Sequence, residues 1–424
     1  MSLAALESAS WREDEIDVVL DRRAVEAEFV PVVRLDTLTV VGFEAVARGP
    51  AGSGVDTHVA LVEAAVAVGR EAELDWICRA AAYRAALDAR LHPSLTVFVK
   101  TDPRSLATPC PPDLAPAVWR AESKLRVVIE VSDRMLAASP DSVPAAVARA
   151  RRVGWGVALD NVGAEPHTLA LLPIVEPDVV KIDLGQLEQR GERSLALVMN
   201  AVLAEVELSG ATVLTTGIST KAQLALARAL GAEVGQGPLL GAAGPLPDGV
   251  APANRPVRLI SAASRNGLTP FDVISGEVDP KTAPRSTLDV LSRQLEHGAS
   301  SASGPAFVVG VYEDVHHLDA AALERLAALA ERGCVVTVLA PGMPAAPAPG
   351  VHGQHLAADE RIRGEWDVLV VADHFAAALV SRTLGASDGR SEFCLTYDRS
   401  LVLDAARTVF DRPEVADLAA LGES

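Results

Sequence analysis

Five apolar runs in the first half of the chain each end on a charge, and this pattern constrains the fold more than any other feature. VVGF runs into Glu44, TVFV into Lys100, RVVI into Glu130, VAL into Asp160 and DVV into Lys181, with Asp183 two residues on. A charge set in β-forming sequence is costly to desolvate unless it is paired or meets a ligand. Only five lysines occur in the whole chain, and two of them sit in this set. Around these runs, FVPVVRL and LTVVGFEAVAR read as two strands about a short turn. Thereafter strands over Leu95–Val99, Arg126–Val131, Gly156–Leu159, Val179–Ile182 and Thr212–Thr215 alternate with helical patterns. The helices are expected over Thr57–Val68, Leu74–Leu87, Val143–Val153, Leu195–Leu208 and Lys221–Leu230, several of them stopping at a glycine such as Gly154 or Gly231. Ser10 is placed to cap a further helix through about Val25. Such alternation predicts an α/β fold with a parallel sheet under helices, and a (β/α)8 barrel is the commonest closed form. In a barrel the strand ends meet at one mouth, so the five charges are expected together there.

At 424 residues the chain is too long for one ordinary core. The Pro-, Gly- and Ala-rich stretch Pro245–Arg258 is the best candidate linker. The expected division is therefore 15–247 for the barrel, 248–258 for the linker and 259–412 for a second, smaller α/β domain. That domain is expected to place helices over Thr287–Glu296, Leu318–Leu329 and Leu401–Val409, and strands over Ala306–Tyr312, Cys334–Leu339, Trp366–Ala372 and Phe393–Tyr397. A net charge of −18 argues against a duplex-DNA or anionic-membrane binder. No CxxC pair, no basic-then-apolar leader and no uninterrupted apolar span is present, which together predict a cytoplasmic protein with reduced thiols.

The charged strand ends also carry a family resemblance. FEAVAR resembles the signature of EAL domains, with Val46 in the usual Leu position. VVIEVSD, VALDNVG and VVKID resemble three further segments of that family in order, and TVLTTGIST and VGQGPLLGAAGPLP resemble its last two. The resemblance implies a modified TIM barrel that binds cyclic di-GMP. Active members linearise that ligand with two divalent metals, Mg or Mn, and a metal-activated water. Position by position it implies that Glu44, Glu130 and Asp160 match metal-ligand carboxylates. Lys181 matches the lysine on the water and phosphate, Arg48 the phosphate arginine and Gln236 a base-contacting glutamine.

Departures from the family pattern fall on the metal ligands. Lys100 stands where the family has a metal-binding Asn, Asn161 where it has a metal-bridging Asp, and Thr216 where it has a ligating Glu; Ser219 replaces another Glu nearby, and Val30 replaces a glutamine that helps hold the guanine. The family site carries five carboxylates and one lysine, which suits two dications. Here three carboxylates face two lysines, leaving a single negative charge. An ammonium among those carboxylates repels a metal whose ligands must be anionic oxygens, and it cannot acidify water as a metal does. The expectation is a barrel without hydrolytic activity and with no cofactor, whose Arg48, Lys100, Lys181 and Gln236 remain candidate ligand contacts. Three readings stay open: a regulatory module binding cyclic di-GMP or a signalling protein, an active phosphodiesterase with an atypical Mg or Mn site, and a protein-interaction scaffold binding neither nucleotide nor metal; the charges by themselves also read as a salt-bridge network stabilising the barrel mouth. The resemblance also implies a homodimer, though the loop after Gly163 departs from the family's.

In the second domain LTPFDVIS, VYEDVHHLDAAALERLA, WDVLVVADHFAAALVSR and FCLTYDRSLV resemble the DICT domain, which implies a sensory role. His316–His317 read as surface or capping residues, His352 and His355 offer no metal-ligand spacing, and Asp373–His374–Phe375 closes a buried strand.

Overall fold

The computed structural model describes residues 15–138, 142–259, 267–302, 306–372, 375–384 and 390–410. A helix over residues 15–21 leads into a closed eight-stranded barrel. Its strands are β1 (Glu26–Arg34), β2 (Val40–Arg48), β3 (Thr96–Lys100), β4 (Arg126–Ser132), β5 (Gly156–Asp160), β6 (Val179–Asp183), β7 (Thr212–Thr216) and β8 (Val234–Gly235). β1 runs antiparallel to both β2 and β8, and every other neighbouring pair is parallel. This is the (β/α)8 barrel expected from the alternation, and its antiparallel β1 gives it the modified form that the resemblance implies.

Strand periodicity sorts the interior into layers. Phe98, Val128, Ala158, Val179, Leu214 and Val234, one from each strand from β3 to β8, pack a dry floor. Two residues further along the same strands stand Lys100, Glu130, Asp160, Lys181, Thr216 and Gln236. The charges therefore face inward because the floor residues do, and the period of two leaves them no other direction. Residues 248–258, expected as a linker, run across the barrel's far end. Val257 is fully buried in the floor cluster, Ala253 N–H donates to Ser94 Oγ at 2.8 Å, and Arg126 donates to the Val257 carbonyl at 2.6 Å. Val257, set between Pro256 and Arg258, explains the docking: it closes an apolar opening.

Most helices match their sequence signals. Thr57 caps the helix His58–Ala67, accepting from Ala60 N–H, and Thr220 caps Lys221–Ala229 in the same way. Glu71–Asp88 and Glu192–Ser209 extend past the expected ends. The β5–β6 connection has no full helix, only a 3-10 turn over Pro166–Leu171 and a four-residue helix Leu172–Val175.

The second unit is a seven-stranded mixed sheet: β9 (Lys281–Pro284), β10 (Ala306–Val311), β11 (Val335–Ala340), β12 (Val351–His355), β13 (Asp367–Ala372), β14 (Ala376–Thr383) and β15 (Arg390–Thr396), in the order β12-β11-β10-β13-β14-β15-β9. β9, β12, β14 and the short helix Pro270–Ser275 have no counterpart in the sequence reading. One sheet face, with Val308, Val336 and Val370, packs under the helices Arg285–Ser300 and Ala320–Glu331. The other, with Phe307, Val309 and Val371, packs under Pro270–Ser275 and the helix Arg399–Thr408 and continues into the barrel's own core. Arg399–Thr408 lies on Leu172–Val175, where the barrel lacks its helix. Arg407 ties the contact, donating to the Pro173 carbonyl at 2.7 Å and pairing with Glu176 at 3.1 Å. Among the described residues, no helix is long and apolar enough to cross a membrane.

Candidate functional site

Glu44, Lys100, Glu130, Asp160 and Lys181 converge at the barrel mouth as the strand ends predicted. Lys181 Nζ lies 2.9 Å from Glu44 Oε2, 2.6 Å from Glu130 Oε1 and 3.4 Å from Asp160 Oδ1. Lys100 Nζ lies 3.2 Å from Glu44 Oε1, 3.6 Å from Glu130 Oε2 and 2.7 Å from Asp160 Oδ2. Each carboxylate thus turns one oxygen to each ammonium, and three carboxylates bridge two cations. Glu130 and Lys181 are almost wholly buried, whereas the Lys100 side chain is 36% exposed. Lys181 is the inner cation, with carboxylates taking its donors. Lys100 hydrogen-bonds Asp160 at 2.7 Å and reaches Glu44 at 3.2 Å, and it is the cation on the exposed side of the cluster.

Electrostatics divides the carboxylates. Burial alone would raise the Glu44 carboxyl, but the ammonium groups of Lys181 and Lys100 outweigh it and hold the group far below the usual range. Asp160 is lowered for the same reason, less strongly. Burial and the Glu44 charge push Glu130 up to about 7, against the pull of both lysines. Of the three, Glu130 is the carboxyl whose surroundings favour the protonated form. Burial would lower both lysines, and the three carboxylates carry them well above the usual value instead. Among the described residues no three His, Cys, Asp or Glu side chains are placed to hold a metal ion between them.

The other expected site residues are distributed around this cluster. Asn161 adopts a left-handed conformation, φ 61°, and with Gly163 at φ 92° turns the chain out of the mouth. Thr216 ends β7 half-buried, and Ser219 bonds its hydroxyl to the Gly217 carbonyl. Arg48 is paired across the β1–β2 ribbon with Glu28 at 2.7 Å, away from the bridged group. Gln236 is 3% exposed, and both ends of its amide are buried without a partner among the described residues. Asp183 caps the helix Leu184–Arg190 by accepting from Gln186 N–H rather than joining the cluster. In the second unit His316 and His317 are exposed on a 3-10 turn, and His355 Nδ1 accepts from Gly342 N–H at 2.8 Å. Asp373 and His374 lie outside the described residues.

Sequence reasoning missed a side chamber. A cavity of about 300 Å3 opens from Lys100, Asp160 and Asn161 between β2 and the helix Glu71–Asp88. Small residues, Ala45, Ala47 and Ala82, leave the space. Asp75 lines it and is fixed by Arg79 at 2.8 Å, by the Ser105 hydroxyl and by Asp102 N–H. Burial nonetheless pushes the Asp75 carboxyl up, and it lifts the Cys78 thiol as well. His58 borders the same space with Nδ1 buried and unpartnered, and burial lowers its ring so that the neutral form is favoured. An acid and a base four residues apart within a mostly buried helix, Asp75 and Arg79, were the available signal.

Comparison with known proteins bears on the barrel. A family model described as EAL domain matches residues 13–243, just over half of the chain. No curated protein matches it in sequence. Among solved structures the chain is similar to the PaMucR phosphodiesterase in complex with c-di-GMP, at 22% identity over 55% of this chain and 98% of that one, TM-score 0.47. The Xanthomonas citri FimX EAL domain in complex with c-diGMP is similar at 15% identity over 58% and 98%, TM-score 0.48. Klebsiella pneumoniae BlrP1, in a manganese/cy-diGMP complex, is similar at 24% identity over 51% of this chain and 55% of that one, TM-score 0.43.

Proposed function

The chain belongs to the EAL domain family, and from that premise we propose that its barrel is a regulatory module that binds cyclic di-GMP without hydrolysing it. The observation that carries this reading is the pair of lysines bridged by three carboxylates. Two dications would need the oxygens that Lys100 and Lys181 already occupy. Lys181 is 1% exposed and cannot swing away, so a metal would sit against a buried ammonium. The residues present do not fit a metal pair. What the cluster supplies is a fixed, near-neutral floor under a mouth that still presents one cation.

Ligand binding is supported by two groups, one an exposed cation and one a buried amide. Lys100 is the exposed ammonium, suited to a phosphate. Gln236 offers a buried amide donor and acceptor that no group among the described residues satisfies, a state folded proteins rarely leave without a ligand or water. Arg48 would have to exchange Glu28 for a phosphate, which costs little at a half-exposed pair. The DICT-like segments support the second unit as the sensory part, so 15–247 and 259–412 are read as the functional division. A cytoplasmic setting, a signalling protein partner and a homodimer belong to the same reading.

Calorimetry of the full chain with cyclic di-GMP, with and without Mg, tests it. The expected result is the same saturable heat in both and no linear pGpG with Mg or Mn. Metal-dependent pGpG would establish the atypical phosphodiesterase instead. Silence in both titrations would leave a scaffold working through protein contacts. The triple variant Lys100→Asn, Asn161→Asp, Thr216→Glu is expected to gain Mn binding that the parent lacks.

A further inference from the structure

The two units enclose a second cavity, on the flank of the barrel away from the mouth. It holds about 390 Å3. Glu176 and Glu205 come from the barrel, and Asp398, Arg399, Asp404 and Arg407 from the second unit, so its charged lining carries four carboxylates against two guanidinium groups. Three of those carboxylates are engaged. Glu176 and Asp404 hold Arg407 at 3.1 and 2.9 Å, and Asp398 caps its own helix. Arg399 donates to the Ala372 carbonyl at 2.5 Å. Glu205 differs: it is 4% exposed and forms no ion pair among the described residues. A carboxylate buried against a cavity wall with no cation of its own is a site lacking its counter-charge.

We propose that this interdomain cavity binds a small alkyl amine or diamine, with the ammonium seated on Glu205. The neighbouring groups select that chemistry. The nearby Ser209 hydroxyl is spent on the Glu205 carbonyl at 2.8 Å and on Ala211 N–H, which leaves the carboxylate as the acceptor, and Leu208 and Leu403 line the cavity where a methylene stem would lie. A divalent metal would ask for six or more oxygens, which one available carboxylate does not provide. Engaged Asp404 and Asp398 lie across the cavity, where a second ammonium would be favoured. Because the walls come from both units, an occupant joins them.

Proton balance gives the proposal a signature. Burial pushes Glu205 up to about 7, against the Ser209 hydroxyl and the charge of Arg407, with Glu176 raising it and Arg399 lowering it. An arriving ammonium stabilises the ionised form, so the carboxyl releases its proton to the buffer as the ion pair forms. Affinity therefore rises as pH passes upward through about 7.

The test is calorimetry of the full chain with 1,4-diaminobutane at pH 7, in two buffers of different ionisation enthalpy and with 1,4-butanediol as the uncharged control. The expected result is saturable binding of the diamine only, with release of a fraction of one proton. Glu205→Gln should weaken binding at least tenfold and abolish the buffer dependence. Leu208→Arg, at a site 69% exposed and so harmless to folding, should weaken it comparably by placing a cation at the rim. No saturable diamine heat, or unchanged binding by both variants, overturns the assignment.

Discussion

At the residue scale the mouth is governed by how three carboxylates share two ammonium groups. Glu130, up at about 7, keeps a proton in the folded state that it loses in the unfolded chain near its ordinary value of about 4.3. A raised carboxyl stabilises fully below the unfolded pKa, and that contribution is lost as pH rises through the folded one. Glu205 is raised to about 7 too and acts in the same window. Glu44 and Asp160 are lowered, so their contribution is present above pH 4 and lost in stronger acid. The unfolding free energy is therefore expected to peak near pH 5 and fall towards pH 8 by roughly 2 kcal/mol for each raised group, and the melting temperature to follow it. Glu130→Gln and Glu205→Gln should each remove part of the fall and the double variant more, with a remainder from Asp367, whose carboxyl burial and the Glu365 charge push well above the usual range. Thermal melts from pH 4.5 to 8 decide it, and an undiminished slope in the double variant would refute the assignment. The charges themselves were legible in the sequence because strand periodicity left them one direction to face. The sharing of oxygens was not, since it depends on the barrel's diameter. Glu205 was invisible because its helix reads as amphipathic, and only the second unit covers that face.

At the element scale, legibility followed the strength of the local pattern. β3 to β7 were readable because valine and isoleucine runs have few alternatives to a buried strand. β14, AAALVSRT, was not, because alanine carries helix propensity and only burial on both sheet faces makes it a strand. β9 and β12 are short edges of four and five residues with weak apolar content. The helix Glu71–Asp88 was anticipated, but its inner polar pair was not weighed. Arg79 is 1% exposed, stacks over the Trp76 ring at 3.8 Å from the centroid and holds Asp75 at 2.8 Å. Arg79→Met keeps the stem and removes the charge, leaving Asp75 buried with only Ser105 and a backbone N–H. The expected cost is about 3 kcal/mol in urea unfolding. Asp75→Asn with Arg79→Met should recover more than half of it, because the uncompensated charge and not the lost packing sets the penalty. A double variant no more stable than Arg79→Met alone would reverse that attribution.

At the scale of the whole molecule, the expected division into a barrel, a linker and a sensory domain meets a core that does not stop between the units. Phe307 and Phe410 stack with centroids 5.6 Å apart, and the residues around them belong to the same buried cluster as the barrel's helices. A short β5–β6 connection leaves an opening, and the helix Arg399–Thr408 fills it. Neither half of this arrangement is visible in sequence, because each looks ordinary until the other is placed against it. The physical consequence is cooperativity: apolar area shared across the boundary makes each unit's stability depend on the other. The full chain is therefore expected to unfold in one thermal transition. Leu403→Asp puts a carboxylate on the second unit's side of the boundary, at a position 5% exposed beside Glu176, Glu205 and Asp404. Desolvating it among like charges costs several kcal/mol in the docked state and little once the units part. Two separate calorimetric transitions are the expected outcome, with the wild-type secondary structure retained at room temperature. A single transition shifted to lower temperature would mean instead that neither unit holds its fold alone and that the two behave as one continuous body.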